Sequence, residues 1–322
     1  MSAPAVQLPA TPRAESPRAL RHGTVALRTA AELDAIAAAG AVVAAALEAA
    51  ESVVRPGATT RELDAAVRAA IASHPGAEPA FLGYPGPEGT PAFPAAACVS
   101  VDEEVVHGIP GDRALVAGQL VSIDVGVRLD GWHADAAVTV IVPGGEAVRV
   151  RALEAFVADA WESLHAGIAS MQPGMRWSDV AARMQRTAAA RGHGLVDGWH
   201  GHGVGRSLHE APQAPAIVTP GLREQRDFTL LSGMVLAVEP ILVQGARAVI
   251  GDDGCASTVP TFVRADGWTV AVAAGLVAAH VEHTVAVTRS GPRILTRRPH
   301  ARAAGTVHPE RTEDGGCCRI PG

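Results

Sequence analysis

Apolar residues recur at helical spacing in the first long periodic stretch of the chain, residues 29–53. They lie three, four or seven positions apart, and Thr29 is a residue type that caps helix N-termini. A break follows at Pro56-Gly57, and a second helical pattern begins at Thr59 or Thr60. The pattern predicts two helices joined by a short turn.

The same arrangement occurs a second time. Shifting the chain by 117 residues places Pro56-Gly57 on Pro173-Gly174, with helical patterns on both sides of each pair. A capped second helix is therefore predicted in both places, and strand-like runs follow each helix pair. We predict an α+β fold of two pseudo-symmetric halves, with any functional site between them.

Three apolar runs after the first helix pair have strand character: AACVSV, QLVSIDVGVRL and GWHADAAVTVIV. Asp130-Gly131, between the last two runs, is a strong signal for a two-residue hairpin turn. In that register Asp135 lies opposite Gly126 and Asp124 opposite Ala137. Both aspartates then share one face of the hairpin, roughly 7–8 Å apart along the diagonal.

Two further acids interrupt apolar runs that resemble strands. Glu239 lies in GMVLAVEPILV and Glu282 in AAHVEHTVAV. Each acid, taken singly, is compatible with an edge strand that faces water, whereas a buried carboxylate needs a partner. Two anions on one face repel each other unless a cation lies between them. Four such acids near a histidine favour a pair of divalent metal ions.

The stretch GWHGHGVGRSLHEAP, residues 198–212, admits three interpretations by itself: a phosphate-binding loop, a metal site, or a flexible turn. Its glycine spacing matches neither the dinucleotide fingerprint nor the P-loop, and HEAPQ is not a zinc-binding HExxH motif. His202 and His209 remain candidates for residues of a functional site, whereas His200 is given no role in one. We expect the glycines to let the backbone pass close to a metal site and substrate.

Composition limits the classes of partner. The chain has 322 residues, 48% of them hydrophobic, and a formal net charge of -6 without a basic run, so nucleic acid binding is not expected. The four cysteines lack CxxC spacing and do not form a disulfide framework, which favours a reducing cytoplasm. No signal peptide or membrane span is expected. Residues 1–24 and 299–322, which include Cys317 and Cys318, are predicted to be disordered.

Taken together, six segments resemble one family: VDEEVVHGIPGDR, SIDVGVRLDGWHADAAVTV, GHGVGRSLHEAPQ, GMVLAVEP, DGWTV and VEHTVAVT. In this order they are similar to the type I methionine aminopeptidases of the creatinase/aminopeptidase superfamily, over about residues 25–297. The resemblance implies the pita-bread fold, a curved antiparallel sheet covered by helices. It also implies one catalytic domain, residues 25–298.

The resemblance further implies a centre with two divalent metal ions, of which Co, Mn, Fe or Zn are candidates. The five implied metal ligands are Asp124, Asp135, His202, Glu239 and Glu282. Asp135 and Glu282 would bridge the ions, which activate water for peptide hydrolysis. The implied catalytic residues are His107, near the substrate's amino end, His209, near the scissile amide, and Glu239, which would shuttle a proton.

Besides His107 and His209, five residues are expected to bind the substrate's methionine side chain: Phe81, Tyr84, Phe93, Leu208 and Trp268. Leu208 replaces a residue that is often Phe in the family, and His280 stands where Gln is often found. Insertions at 85–92 and 243–262 also depart from the family pattern and bear on substrate range.

The expected function is metal-dependent removal of N-terminal methionine from peptides and nascent proteins with a small second residue. Two alternatives are a proline-specific peptidase of the same fold and a non-catalytic protein that binds ribosomes or chaperones. The expected partners are a peptide or nascent-chain N-terminus and, transiently, the ribosome. Neither nucleic acid nor membrane is expected, and the protein is expected to be a monomer in the cytoplasm.

Overall fold

A computed structural model describes residues 18–20 and 23–298 of the chain. The predicted C-terminal tail and most of the predicted N-terminal arm lie outside the described residues. The end of that arm is paired, since Arg18–Leu20 and Gly23–Val25 form a short antiparallel ladder. The boundary predicted between residues 24 and 25 therefore falls inside a strand.

Four α-helices and a short π-helical turn at Leu222–Arg226 are present in the described part of the chain. The helices are α1 Ala30–Val53, α2 Thr60–Ala72, α3 Ala147–Ile168 and α4 Trp177–Ala190. The strands are β1 Arg18–Leu20, β2 Gly23–Val25, β3 Ala77–Pro79, β4 Ala97–Val101, β5 Glu104–Val106, β6 Leu120–Leu129, β7 Trp132–Ile141, β8 Gly194–Leu195, β9 Gly201–Gly203, β10 Glu210–Ala214, β11 Val235–Val238, β12 Ile241–Val243, β13 Phe262–Val263, β14 Val270–Ala271, β15 Ala278–His280, β16 His283–Thr288 and β17 Gly291–Ile294.

The predicted helix pairs are confirmed, and the N-termini of three helices are capped in two different ways. Thr29 and Thr59 each form a reciprocal capping box with the glutamate three residues later. The N-cap residue of α4, Arg176, makes no side-chain cap. Asp227 supplies the missing acceptor by receiving hydrogen bonds from the backbone N–H and the hydroxyl of Ser178.

The predicted internal duplication is confirmed by matching backbone contacts in the two halves. Gly57 N donates to Leu115 O at 2.8 Å, and Gly174 N donates to Leu230 O at 2.8 Å. Both glycines have positive φ, +82° and +93°, which only glycine adopts readily. Each Pro-Gly break is therefore a tight turn that ties a helix pair to the strand region of its own half.

The strands pair antiparallel in each half of the molecule. In the first half β6 lies between β4 and β7 and also pairs with β3, while in the second half β11 lies between β9 and β16. The predicted hairpin is confirmed, with Asp130 and Gly131 at φ of 49° and 78° and Gly126 opposite Asp135. The predicted α+β class is thus confirmed.

Helix α1 packs against α2, β6 and β7 through a continuous buried face. By length and composition alone it is apolar enough to cross a membrane. Half of its most apolar window is buried inside the protein, which is typical of a core helix. Gly40 lets α1 pack closely on the segment after β17, since a Cβ at Gly40 would overlap the backbone of Leu295.

Candidate metal centre

One cavity of about 240 Å³ collects every residue that the sequence predicts for the site. The proposed metal ligands lie at one end, and an apolar and aromatic wall lies beside them. The predicted residues on its surface are Phe81, Tyr84, Phe93, His107, Asp124, Asp135, His202, Leu208, His209, Glu239, Trp268 and Glu282. The duplicated fold therefore brings together side chains that are up to about 200 positions apart in the chain.

The two aspartates come from the β6–β7 hairpin. Asp124 is opposite Ala137 and Asp135 is opposite Gly126, so the carboxylates project from one face, and both are buried, 8% and 4% exposed. A Cβ at Gly126 would lie 2.6 Å from the Phe81 ring, so this glycine makes room for the aromatic wall beside the acids.

The two glutamates lie between strands, not within them. Glu239 follows β11 and precedes Pro240, and Glu282 lies in the two-residue link between β15 and β16. The prediction that each is a strand residue is therefore wrong. Pro240 lacks the N–H that a continuous ladder needs, so the chain leaves one sheet and enters the next at this point. That break turns Glu239 into the cavity.

His202 reaches the acids from β9. Its Nδ1 donates to Gly203 O at 3.0 Å, which leaves Nε2 to face Asp135 Oδ2 at 3.9 Å and Glu239 Oε1 at 3.8 Å. Side chains at Gly201 and Gly203 would overlap carbonyls of Ala237 and Ala211 on the flanking strands. Gly201 and Gly203 therefore let β9, which carries His202, pack closely between its two neighbouring strands.

Without a bound cation, the negative charges of the four carboxylates repel one another. Burial, together with the other acids, raises the pKa of Asp124 and of Glu282 well above the usual value. Burial also raises the pKa of Asp135, although His202 opposes it. For Glu239, burial acts to raise the pKa, but His280, His202 and His209 outweigh it and the pKa is lowered.

These residues fit a divalent metal centre. Asp135, His202 and Glu282 each offer a ligand atom, and the three atoms lie within 4.8 Å of one another. Within the described residues, Asp124 Oδ1, Asp135 Oδ1 and Glu282 Oε1 are buried without a hydrogen-bond partner. Buried carboxylate oxygens of this kind are costly unless a cation neutralises them. Oxygen donors with imidazole suit divalent first-row metals.

Two further histidines, His107 and His209, line the cavity with the acids. His107 has φ of 58°, an uncommon backbone conformation for a residue with a side chain, and its ring contacts Trp199 and Trp268. Burial lowers the pKa of His107 to about 4, so its imidazole is neutral near pH 7. His209 lies at the open mouth of the cavity, where partial desolvation and then His202 lower its pKa.

Tyr84 contacts His209 directly. The phenol oxygen lies 2.6 Å from His209 Nδ1, and the rings pack edge to face. Burial raises the pKa of Tyr84, so the phenol keeps its proton. Its hydroxyl can therefore donate to His209 Nδ1 when the imidazole proton is on Nε2.

Seven residues on the cavity surface were missed by the sequence reasoning: Cys98, Val106, Gly198, Trp199, His200, Gln213 and His280. Two of them follow from strand pairing, because Cys98 lies opposite Asp124 and Gln213 opposite His202. The Cys98–Asp124 pairing joins β4 to β6, which are not consecutive in the chain, so no hairpin signal identifies it. Gln213 lies on the strand that follows His202, but the register shifts between Glu210 and Gln213, so a simple hairpin count does not give the pair. Burial and the neighbouring acids raise the pKa of the Cys98 thiol well above its usual value.

Sequence and structure comparisons agree with this geometry. The pattern of metallopeptidase family M24 matches residues 34–289. The chain belongs to metallopeptidase family M24. This M24 peptidase is 46% identical over 276 residues to methionine aminopeptidase 1 of Mycobacterium tuberculosis, which covers 84% of this chain and 94% of that protein.

Solved structures confirm the pita-bread fold. A methionine aminopeptidase from Thermotoga maritima has a TM-score of 0.70 and 35% identity, covering 85% of this chain and 99% of its own. The prolidase from Pyrococcus furiosus, at 20% identity and a TM-score of 0.62, covers 84% of this chain and 65% of its own and shows the fold alone. Membership of a metallopeptidase family accounts for the divalent metal centre that the buried acids require.

Proposed function

We propose that this M24 peptidase removes N-terminal methionine from peptides and nascent proteins whose second residue is small. The observation that carries the proposal is that one cavity holds both a cluster of buried carboxylates and an apolar, aromatic wall. Phe81, Phe93 and Leu208 form one apolar cluster, and such a surface suits a thioether side chain. Sulfur also makes favourable contacts with aromatic rings.

The acids and His202 would hold two divalent ions. Bound there, the ions would supply Lewis-acid activation of water and of the scissile carbonyl. Five residues form this ligand set in the proposal: Asp124, Asp135, His202, Glu239 and Glu282. The lowered pKa of Glu239 keeps its carboxylate ionised near neutral pH, so it can take up a proton and pass it to the leaving amine.

The histidines act as neutral groups in the proposed mechanism. His209 can donate an N–H hydrogen bond to the carbonyl oxygen as negative charge develops on it. His107 lies between the two tryptophans and, because it is neutral, does not repel the substrate's amino group. The aromatic wall orients the first side chain and excludes water from it.

A peptide assay tests the proposal. Purified protein loaded with Co, Mn or Fe(II) is incubated with Met-Ala-Ser, Met-Leu and X-Pro peptides, and released amino acids are quantified. We expect free methionine from Met-Ala-Ser and little release from the other two. Release from the X-Pro peptide alone would favour a proline-specific peptidase, and ribosome binding without turnover under any metal would favour a non-catalytic binding protein.

Substitution of Glu239 tests its assigned role. Glu239→Ala removes a ligand and the proton shuttle, so kcat should fall by on the order of 10²–10⁴-fold. Glu78→Ala is the matched control, because Glu78 is an exposed acid paired with Arg128 on β6. Wild-type turnover in Glu239→Ala would refute the assignment.

We also propose that the protein acts in the cytoplasm as a monomer with transient ribosome contact. Acting on nascent chains requires access to the polypeptide as it leaves the ribosome. Sedimentation of ribosomes with and without the added protein, together with size-exclusion chromatography, tests both statements.

A further inference from the structure

His280 is a buried imidazole that points into the metal centre. It ends β15, is only 2% exposed, and lies on the cavity surface. Its Nε2 is 3.3 Å from Glu239 Oε2 and 3.9 Å from Glu282 Oε2. It therefore approaches the acids at least as closely as His202 does, since His202 Nε2 is 3.8 Å from Glu239 Oε1.

The Nε2 atom of His280 has no hydrogen-bond partner within the part of the chain that the structure describes. The 3.3 Å approach to Glu239 is thus too poorly aligned to be a hydrogen bond. Three other cavity atoms share this property, and all belong to proposed ligands: Asp124 Oδ1, Asp135 Oδ1 and Glu282 Oε1. A buried nitrogen left unpaired among such oxygens is costly unless something binds it.

The backbone holds His280 in place. Its N–H lies 3.2 Å from Ser122 Oγ and 3.0 Å from Thr139 Oγ1, and the Thr139 hydroxyl donates to its carbonyl at 2.7 Å. Ser122 and Thr139 are opposite each other on the β6–β7 hairpin that carries the aspartates. The imidazole is therefore pre-positioned relative to Asp124 and Asp135, as a ligand must be.

Ligand spacing agrees with this placement. Two donors bound to one ion at about 2.0–2.2 Å lie about 3.0–3.5 Å apart at ordinary coordination angles. The 3.3 Å separation of His280 Nε2 and Glu239 Oε2 is within that range, and the 3.9 Å separation from Glu282 Oε2 is slightly outside it.

We propose that His280 Nε2 is a further ligand of the metal ion held by Glu239 and Glu282, which gives the centre two imidazoles. This inference rests on the metal centre of the proposed function. Imidazole suits Co, Ni and Zn better than Mn, which prefers oxygen. The second nitrogen therefore shifts metal preference toward the later first-row ions.

Proton NMR of the Co(II)-loaded full-length protein tests the proposal directly. A coordinated imidazole gives a strongly shifted, solvent-exchangeable N–H signal. We expect two such signals in the wild type, from His202 and His280, and one in His280→Gln. His200→Gln is the matched control and should keep both, because His200 lies on the cavity surface near Asp197 and Arg226.

Metal titration by calorimetry gives a second measurement. Loss of His280 should weaken binding of Co(II) and Zn(II) by about tenfold or more, and of Mn(II) by less. Glutamine keeps an N–H donor at this position, so a role limited to hydrogen bonding with Glu239 would leave these affinities near wild type.

The assignment of His280 as a ligand can fail without the proposed function failing. A single shifted signal in the wild type, or two in His280→Gln, would overturn the ligand assignment while leaving the peptidase intact. The number of shifted signals in the wild-type spectrum tests the assignment even if His280→Gln folds poorly. If the wild type bound no divalent metal at all, the proposed function would fail along with this inference.

Discussion

The contact between Tyr84 and His209 shows how a single residue can set the chemistry of its neighbour. A neutral imidazole is a donor at one nitrogen and an acceptor at the other. When the Tyr84 hydroxyl, 2.6 Å away, donates to Nδ1, the remaining proton of His209 must be on Nε2. Tyr84 was expected to line the methionine pocket, and its position gives it this second role as a positioning residue.

Tyr84→Phe should therefore lower kcat more than it changes KM. Loss of one hydrogen bond of about 1 kcal/mol corresponds to roughly a three- to tenfold fall in kcat. Nitrogen NMR of ¹⁵N-labelled His209 reports the tautomer, and we expect the Nε2–H form to lose its predominance in the variant. An unchanged tautomer together with unchanged kcat would contradict the positioning role.

At the scale of elements, the two insertions affect the cavity indirectly, through residues that line it. Neither residues 85–92 nor 243–262 contribute to the cavity surface. Each contacts one cavity tryptophan, because Trp268 Nε1 donates to Pro91 O at 2.9 Å and Trp199 Nε1 to Thr261 Oγ1 at 3.4 Å. The insertions thus support the orientation of the aromatic wall on both sides of His107.

Shortening loop 85–92 tests this support. Tyr84 and Phe93 are hydrogen-bonded across the loop base, so a two-residue Asn-Gly turn can join them. Trp268 then loses its acceptor, and KM for methionine peptides should rise about three- to tenfold with metal affinity unchanged. Glu88→Ala, an exposed change within the loop, is the control. An unchanged KM in the shortened variant would show that the orientation of Trp268 does not depend on this loop.

The start of α4 depends on a residue from another segment. Asp227→Ala removes the acceptor for Ser178 and should lower the free energy of unfolding by about 1–2 kcal/mol, as for loss of a helix cap. The control Asp112→Ala removes an exposed ion pair with Arg61, and it should change the free energy of unfolding by less than about 0.5 kcal/mol. Urea unfolding measures both, and equal effects would rule out a capping role for Asp227.

At the scale of the whole molecule, the metal centre lies where the two halves meet. Asp135 N and O both bond to the Thr284 hydroxyl on β16, and Glu282 N donates to Ala137 O on β7. Acids from both halves are therefore held close together even though they repel one another. A cation bound between them would join the halves.

Removing metal should therefore destabilise the folded protein. Because metal binds the native site, saturation at about 100 times Kd should stabilise it by about 2.7 kcal/mol. Calorimetric scans of chelated and metal-loaded protein should show a higher Tm for the loaded form, and the difference should shrink in Glu239→Ala. Identical Tm values for loaded and chelated wild type would contradict a structural contribution of the centre.

Much of the fold could be predicted because its signals are local. The helix pairs follow from periodicity and from the Pro-Gly turns, and the Asp124–Asp135 pair follows from one two-residue hairpin. The β4–β6 pairing joins strands that are not consecutive, and the β9–β10 register is shifted, which is why Cys98 and Gln213 were not identified. For Glu239 and Glu282 the sequence indicated unusual acids, but not that they lie between strands.

By itself the sequence determined which side chains had to find a partner, since isolated acids in apolar runs are too costly to bury unpaired. It also determined the duplicated helix pairs, through local backbone preferences. Only the tertiary structure decided which distant groups meet. Packing of β15 against the β6–β7 hairpin brings His280 to the acids, because its position depends on hydrogen bonds to Ser122 and Thr139, more than 140 residues earlier.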